Sequence, residues 1–135
     1  MKRLLLSTIF LLTLCIGYAD EPMAEITFDK TSHNFGTFSE KNPVVTCIFS
    51  FKNTGNAPLI INQAIASCGC TIPTYTEKPV LPGQKGEIKV TYNGKGFYPG
   101  KFKKIITVRT NAKTRLVRLN IEGEMTASDS TGNKK

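Results

Sequence analysis

Between Val44 and Lys52 the chain alternates cleanly. Val45, Cys47, Phe49 and Phe51 share one face, and Thr46, Ser50 and Lys52 share the other. A period of two marks a strand with one face buried. Glu87 to Tyr92 repeats the pattern, with Ile88, Val90 and Tyr92 inward and Lys89 and Thr91 outward. Arg115 to Glu122 does the same with Val117, Leu119 and Ile121. Shorter apolar stretches at Ile26–Phe28, His33–Gly36, Leu59–Ala66 and Lys101–Thr110 complete a set of about seven strands. Turn formers separate them: Asn53-Thr54-Gly55-Asn56, Pro82-Gly83, the run Asn93–Gly100 with its Pro99-Gly100, and Asn111–Thr114. In the first, Asn53 can bond its own backbone two residues on, and Gly55 offers a positive φ.

Beyond the N-terminus no segment carries the three-four spacing of an amphipathic helix. The pattern predicts an all-β chain, an immunoglobulin-like two-sheet β-sandwich over residues 25–125. The chain has no Trp, so Phe49, Phe51, Tyr92 and Phe102 must fill the core. Residues 126–135 end in SDSTGNKK, polar and without an apolar anchor, and read as a disordered tail.

The N-terminus is a different object. Lys2 and Arg3 precede a nearly unbroken apolar run from Leu4 to Ile16, and Gly17-Tyr18-Ala19 follows. A charged start, a short apolar run and a small-x-small triplet form a signal peptide, cleaved after Ala19. The run is shorter than the roughly 20 residues a permanent span requires. Cys15 follows Leu14, which is not small, so the lipidation pattern is not met. Loss of residues 1–19 leaves 16 basic and 10 acidic residues, a net charge of +6. An exported, periplasmic or otherwise extracytoplasmic location follows.

Export changes what the cysteines mean. Cys47, Cys68 and Cys70 survive cleavage, an odd number in an oxidising compartment. Cys47 lies in phase with Phe49 and Phe51, as a small buried hydrophobe would. Cys68-Gly69-Cys70 admits several outcomes. It can be a disulfide-locked turn, strained and therefore reducible. It can offer two thiolates to a soft ion such as Cu(I), or act as a redox pair. The spacing is not the Cys-x-x-Cys of thioredoxin-type enzymes, and no helix is predicted to activate a thiol there. A bridge from Cys47 to Cys68 or Cys70 also remains open.

Charge gives a second lead. Seven basic residues and no acid lie between Lys101 and Arg118. Lys103, Arg109 and Arg118 share the solvent phase of the last two strands, a basic face suited to an anionic partner. The bland counterpart is a solvated face with lysines that keep sheet edges apart. The one aromatic between the charges, Phe102, is assigned to the core and leaves none to stack bases on the basic face, so nucleic acid is not the expected partner; a protein or an anionic envelope component is. His33, the single histidine, lacks a second positioned group and reads as a hydrogen-bonded strand residue. No nucleophile–base pair, phosphate loop or paired carboxylates stand out, so neither catalysis nor a cofactor is expected.

Several short motifs occur in order: His33-Asn34-Phe35-Gly36, Phe51-Lys52-Asn53-Thr54-Gly55 with Pro58-Leu59, Ser67-Cys68-Gly69-Cys70-Thr71, Leu81-Pro82-Gly83 and Gly100-Lys101-Phe102. Over Ile26 to Glu124 the chain resembles a bacterial family catalogued as domain of unknown function 1573, itself similar to the Hydin, ASH and major-sperm-protein sandwiches. The resemblance implies an exported immunoglobulin-like module of a Gram-negative envelope, and ASH-type relatives serve as docking modules. The sequence thus points to a non-catalytic interaction module that does not span the membrane. A small thiol-based Cu(I) or redox carrier using Cys68 and Cys70 is the alternative, and a sheet edge that accepts a partner's strand is a third reading.

Overall fold

The computed structural model describes Gly17 and residues 21–128. Apart from Gly17, the predicted signal peptide lies outside the described residues. Among the described residues eight strands form: β1 Ile26–Phe28, β2 Ser32–Ser39, β3 Val44–Asn53, β4 Ile61–Ala66, β5 Thr71–Tyr75, β6 Lys85–Asn93, β7 Gly100–Thr110 and β8 Leu116–Thr126. They make two four-stranded sheets, β1-β3-β6-β5 and β2-β8-β7-β4. All neighbours are antiparallel except β2, which runs parallel to β8. This is an immunoglobulin-like sandwich with no helix among the described residues.

Alternation decides which side chains enter the core. Cys47, Phe49 and Phe51 of β3, Ile88, Val90 and Tyr92 of β6, Ile106 and Val108 of β7, and Leu119 and Ile121 of β8 are buried between the sheets. Each large apolar side chain so buried contributes about 1.5–3 kcal/mol. Tyr92 and Phe102 stack across the interior with ring centroids 3.8 Å apart, and Phe38 packs edge-on against both. The aromatic residues expected to replace a core Trp do so, and Phe35 and Phe38 extend them from β2.

Four local departures from the sequence reading have physical causes. β5, which the sequence reading leaves out, contains Pro73; proline is tolerated because β5 is a sheet edge. Leu59 does not open β4 but makes a separate bridge to Val80, with N–H···O bonds of 2.9 and 2.8 Å. Gly55 has no positive φ; that conformation belongs to Gly36, Gly83, Gly96 and Gly100. A Cβ on Gly55 would collide with the Met23 carbonyl and the Glu25 amide, so glycine is needed there for close approach of the lead-in. Lastly, β8 runs through Thr126, and Ser128 donates its N–H and its hydroxyl to Glu40 Oε1, both at 2.7 Å. The ordered chain therefore extends past 125; residues 129–135 of the expected tail lie outside the described residues.

Candidate functional site

The cysteine turn is where the chain crosses between sheets. β4 ends at Ala66, and the Ser67 amide still reaches the Ile105 carbonyl of β7 at 2.9 Å. Three residues later the Cys70 carbonyl accepts the Asn93 amide of β6 at 2.8 Å. Cys68-Gly69-Cys70 is thus pinned to both sheets. The two sulfurs are joined in a disulfide, with the Cα atoms 5.3 Å apart. The Cys70 amide donates to Cys68 Sγ at 3.1 Å. The Thr71 hydroxyl lies 3.6 Å from Cys70 Sγ and 3.9 Å from Cys68 Sγ. Cys70 is buried and Cys68 half-buried. A shallow groove of about 350 Å³ opens onto the pair, lined also by Ile72, Asn93, Lys95 and Phe97.

Cys47 stays apart. It lies opposite Val90, which in turn lies opposite Pro73 of β5, whereas Cys70 bonds to Asn93, opposite Val44. Three residues along the sheet and two strands across amount to about 14 Å. A disulfide needs Cα atoms within about 7 Å. A bridge from Cys47 to Cys70 is therefore out of reach, and Cys68 is already joined to Cys70. Burial pushes the Cys47 thiol up to about 11, against a smaller opposing effect of Lys30. Sulfurs joined to each other offer no thiolate to copper, so the Cu(I) alternative would first need the pair reduced. Among the described residues no group of three or more His, Cys, Asp or Glu side chains converges on a metal-sized site.

The basic residues separate into two sets. Lys101 and Lys103 face Glu124 and Glu122 across the β7–β8 ladder. Arg109 lies opposite Leu116, and Arg118 opposite Thr107, so the two arginines are diagonal neighbours on the outer face. From Lys103 to Arg109 is about 20 Å along the strand. The structure brings Arg109 and Arg118 together and leaves Lys103 in a mixed-charge zone.

Sequence reasoning missed what surrounds the arginines. Ile65 of β4 lies opposite Thr107, in the same row as Arg118, and Gln63 lies opposite Arg109. Ile65, Ile105 and Leu116 are exposed at 45%, 39% and 50%. The result is an Arg-and-aliphatic checkerboard on β4-β7-β8. Parity could have revealed it, because Ile105 is in phase with Lys103 and Arg109 and Leu116 is in phase with Arg118. His33 is settled more simply. Lys30 Nζ lies 2.8 Å from Nδ1, and the ring packs edge-on against Phe35. Burial and then the Lys30 charge lower its pKa below the usual histidine value, so the ring is neutral at pH 7.

The family model described as Protein of unknown function (DUF1573) matches residues 26–125. No curated protein matches the chain in sequence. Among solved structures, it is similar to a protein of unknown function from Porphyromonas gingivalis W83 (TM-score 0.61, 14% identity), covering 76% of this chain and 46% of that one, under half its length. It is also similar to the ASH / PapD-like domain 7 of human CEP192 (TM-score 0.65, 9% identity), covering 80% and 89%. A third similarity is to the periplasmic chaperone SfaE (TM-score 0.52, 9% identity), covering 77% and 58%. At these identities the likenesses speak for the fold. Among the described residues no helix is long and apolar enough to cross a membrane.

Proposed function

We propose that this chain, which belongs to the DUF1573 family, is a non-catalytic interaction module, exported to the bacterial cell envelope, that binds a protein through the outer face of β4-β7-β8. The observation that carries this reading is the cluster of Arg109 and Arg118 among exposed Ile65, Ile105 and Leu116. Interface centres are enriched in Arg and depleted of Lys, Glu and Asp. An exposed aliphatic group beside a planar guanidinium suits a partner surface that is itself apolar with carboxylates at its margin. The fold shared with a periplasmic chaperone and with an ASH-type domain supports a binding role. The N-terminal leader pattern supports export.

The test is quantitative co-purification from envelope extract with wild type, Arg109→Glu/Arg118→Glu, Leu116→Ser and Lys103→Glu. Loss of two desolvated arginines costs about 2–3 kcal/mol, roughly a 30- to 150-fold drop in affinity. Leu116→Ser should weaken the same partner. Lys103→Glu should matter less, because Lys103 already faces Glu122. A protein partner whose recovery is unchanged by the double reversal ends this reading. Binding that falls with salt and with charge reversal, yet ignores Leu116→Ser, would identify an anionic envelope component instead.

A further inference from the structure

The two sulfurs of the Cys68-Gly69-Cys70 turn are not equivalent. Both residues line the groove, but Cys68 is half-buried and its Sγ receives the Cys70 amide at 3.1 Å, while Cys70 is buried with its Sγ 3.6 Å from the Thr71 hydroxyl. N–H donation stabilises negative charge on the sulfur that receives it. Lys95 lines the same groove and is exposed, so the groove that Cys68 lines carries a positive charge. Phe97 and Ile72 are exposed at 52% and 55%, giving an apolar wall where a peptide could lie. An accessible sulfur with anion-stabilising neighbours, a buried second sulfur and an apolar seat are the parts a thiol-exchange site needs.

We propose that Cys68–Cys70 is a thiol–disulfide exchange site for a partner protein that presents a pair of cysteine thiols. A partner thiolate attacks Cys68 Sγ. The Cys68–Cys70 bond breaks, its electron pair goes to Cys70 Sγ, and that sulfur takes a proton from solvent with the Thr71 hydroxyl beside it. The partner's second thiolate then attacks its own sulfur in the mixed disulfide and releases Cys68 as a thiolate. The partner dithiol is oxidised to a disulfide, and the Cys68–Cys70 disulfide is reduced to two thiols. In reverse, Cys68 opens a partner's disulfide and Cys70 resolves it. Cys47 takes no part, because it is buried and its thiol ionises only near 11. The groove is separate from the β4-β7-β8 face, so either proposal can fail without the other.

The experiment uses the chain without its leader. Cys70→Ser keeps the backbone amide that faces Cys68 Sγ. Mixed-disulfide formation with glutathione disulfide is followed by mass, with the modified cysteine assigned by peptide mapping. Cys68 is expected to exchange about tenfold faster in the folded chain than in the same variant unfolded in guanidinium. In Cys68→Ser the order reverses, because Cys70 is shielded. If the single-cysteine variants fold poorly, Lys95→Gln retains the natural disulfide and changes only an exposed side chain. Its reduction by 2-mercaptoethanol should slow about threefold relative to wild type, with Lys89→Gln unaffected. The proposal is overturned if Cys68 exchanges no faster folded than unfolded, or if Lys95→Gln leaves the reduction rate unchanged.

Discussion

Replacing Asn53 should cost more stability than any other single turn residue. Its side chain is fully buried and uses its whole hydrogen-bonding capacity. Nδ2 donates to the Ala57 carbonyl at 2.7 Å and to the Val80 carbonyl at 2.9 Å. Oδ1 accepts the Gly55 amide at 3.0 Å and the Glu25 amide at 3.3 Å. One side chain therefore ties the lead-in to β1, the turn after β3 and the strand-like stretch at Val80. Asn53→Ala removes all four bonds. At about 1 kcal/mol each, less where water reaches the half-buried turn, the loss is about 3 kcal/mol. In a domain of this size that lowers Tm by about 10–20 °C. Asn53→Asp is the sharper variant. It keeps the shape and both acceptor bonds but turns an oxygen toward two carbonyls. Leaving an uncompensated buried charge costs about 3–5 kcal/mol at neutral pH. Folding would favour the protonated acid, so the folded pKa would lie above the unfolded value of about 3.9. The folded state then binds the extra proton, and the variant's deficit is full at pH 8 and shrinks as pH falls toward 4. The assay is urea unfolding of wild type and both variants at pH 4.5, 6 and 8. Asn56→Ala is the control, since Asn56 Oδ1 makes an exposed bond to the Met23 amide. A deficit below about 1 kcal/mol for Asn53→Ala, or a pH-independent deficit for Asn53→Asp, would refute this reasoning.

Two further outcomes are expected. The Ser128 hydroxyl and then its amide hold the Glu40 carboxyl below its ordinary value. A depressed folded pKa means the tether is complete above the unfolded value and is lost as pH falls through the folded one. The Ser128 amide resonance should accordingly titrate with a midpoint below 4.5 and lose that titration in Glu40→Gln; an amide insensitive to acid would rule the tether out. Cys47, buried and with its thiol near 11, should resist iodoacetamide at pH 8 until the chain unfolds, so labelling and unfolding should share one denaturant midpoint; fast labelling of the native protein would place Cys47 elsewhere.

What was legible in the sequence was whatever depends on parity. Phe49 and Phe51, Ile88 and Val90, and Leu119 and Ile121 announce their strands because one face of each must be dry and side chains alternate. The exposed side of Lys103, Arg109 and Arg118 followed from the same rule. Pairing is another matter. Nothing within β8 says that Glu122 stands opposite Lys103, because that register is set by the length of the Asn111–Thr114 turn and by how β7 and β8 share the core. A run of seven basic residues therefore looked like one face, although its lower half faces two carboxylates. Asn53 and Gly55 show the same limit. The turn was readable, and so was the Asn53 bond to Gly55, but the reason for glycine was the distant Met23–Glu25 backbone rather than a local dihedral.

Edges decide whether such a sandwich binds by a face or by adding a strand. Exposed edges carry unpaired N–H and C=O groups and are the natural place for strand addition. Here each of the four edges is interrupted. β1 is three residues long. β2 shifts register between Asn34 and Thr37, around Gly36 with its φ of 69°. β4 shifts register between Ile61 and Gln63. On β5 the Cys70 carbonyl and the Thr76 amide bond to β6, so residues of even number turn their polar groups inward and Pro73 turns its ring nitrogen outward. The edge therefore lacks a donor where an incoming strand would need one. Bulges, short strands and an edge proline are the devices by which sheets resist edge-to-edge association. The edges so interrupted offer an incoming strand little backbone, while Ile65, Ile105 and Leu116 stay exposed around two arginines. That contrast supports the proposed face-on docking at β4-β7-β8 over strand addition.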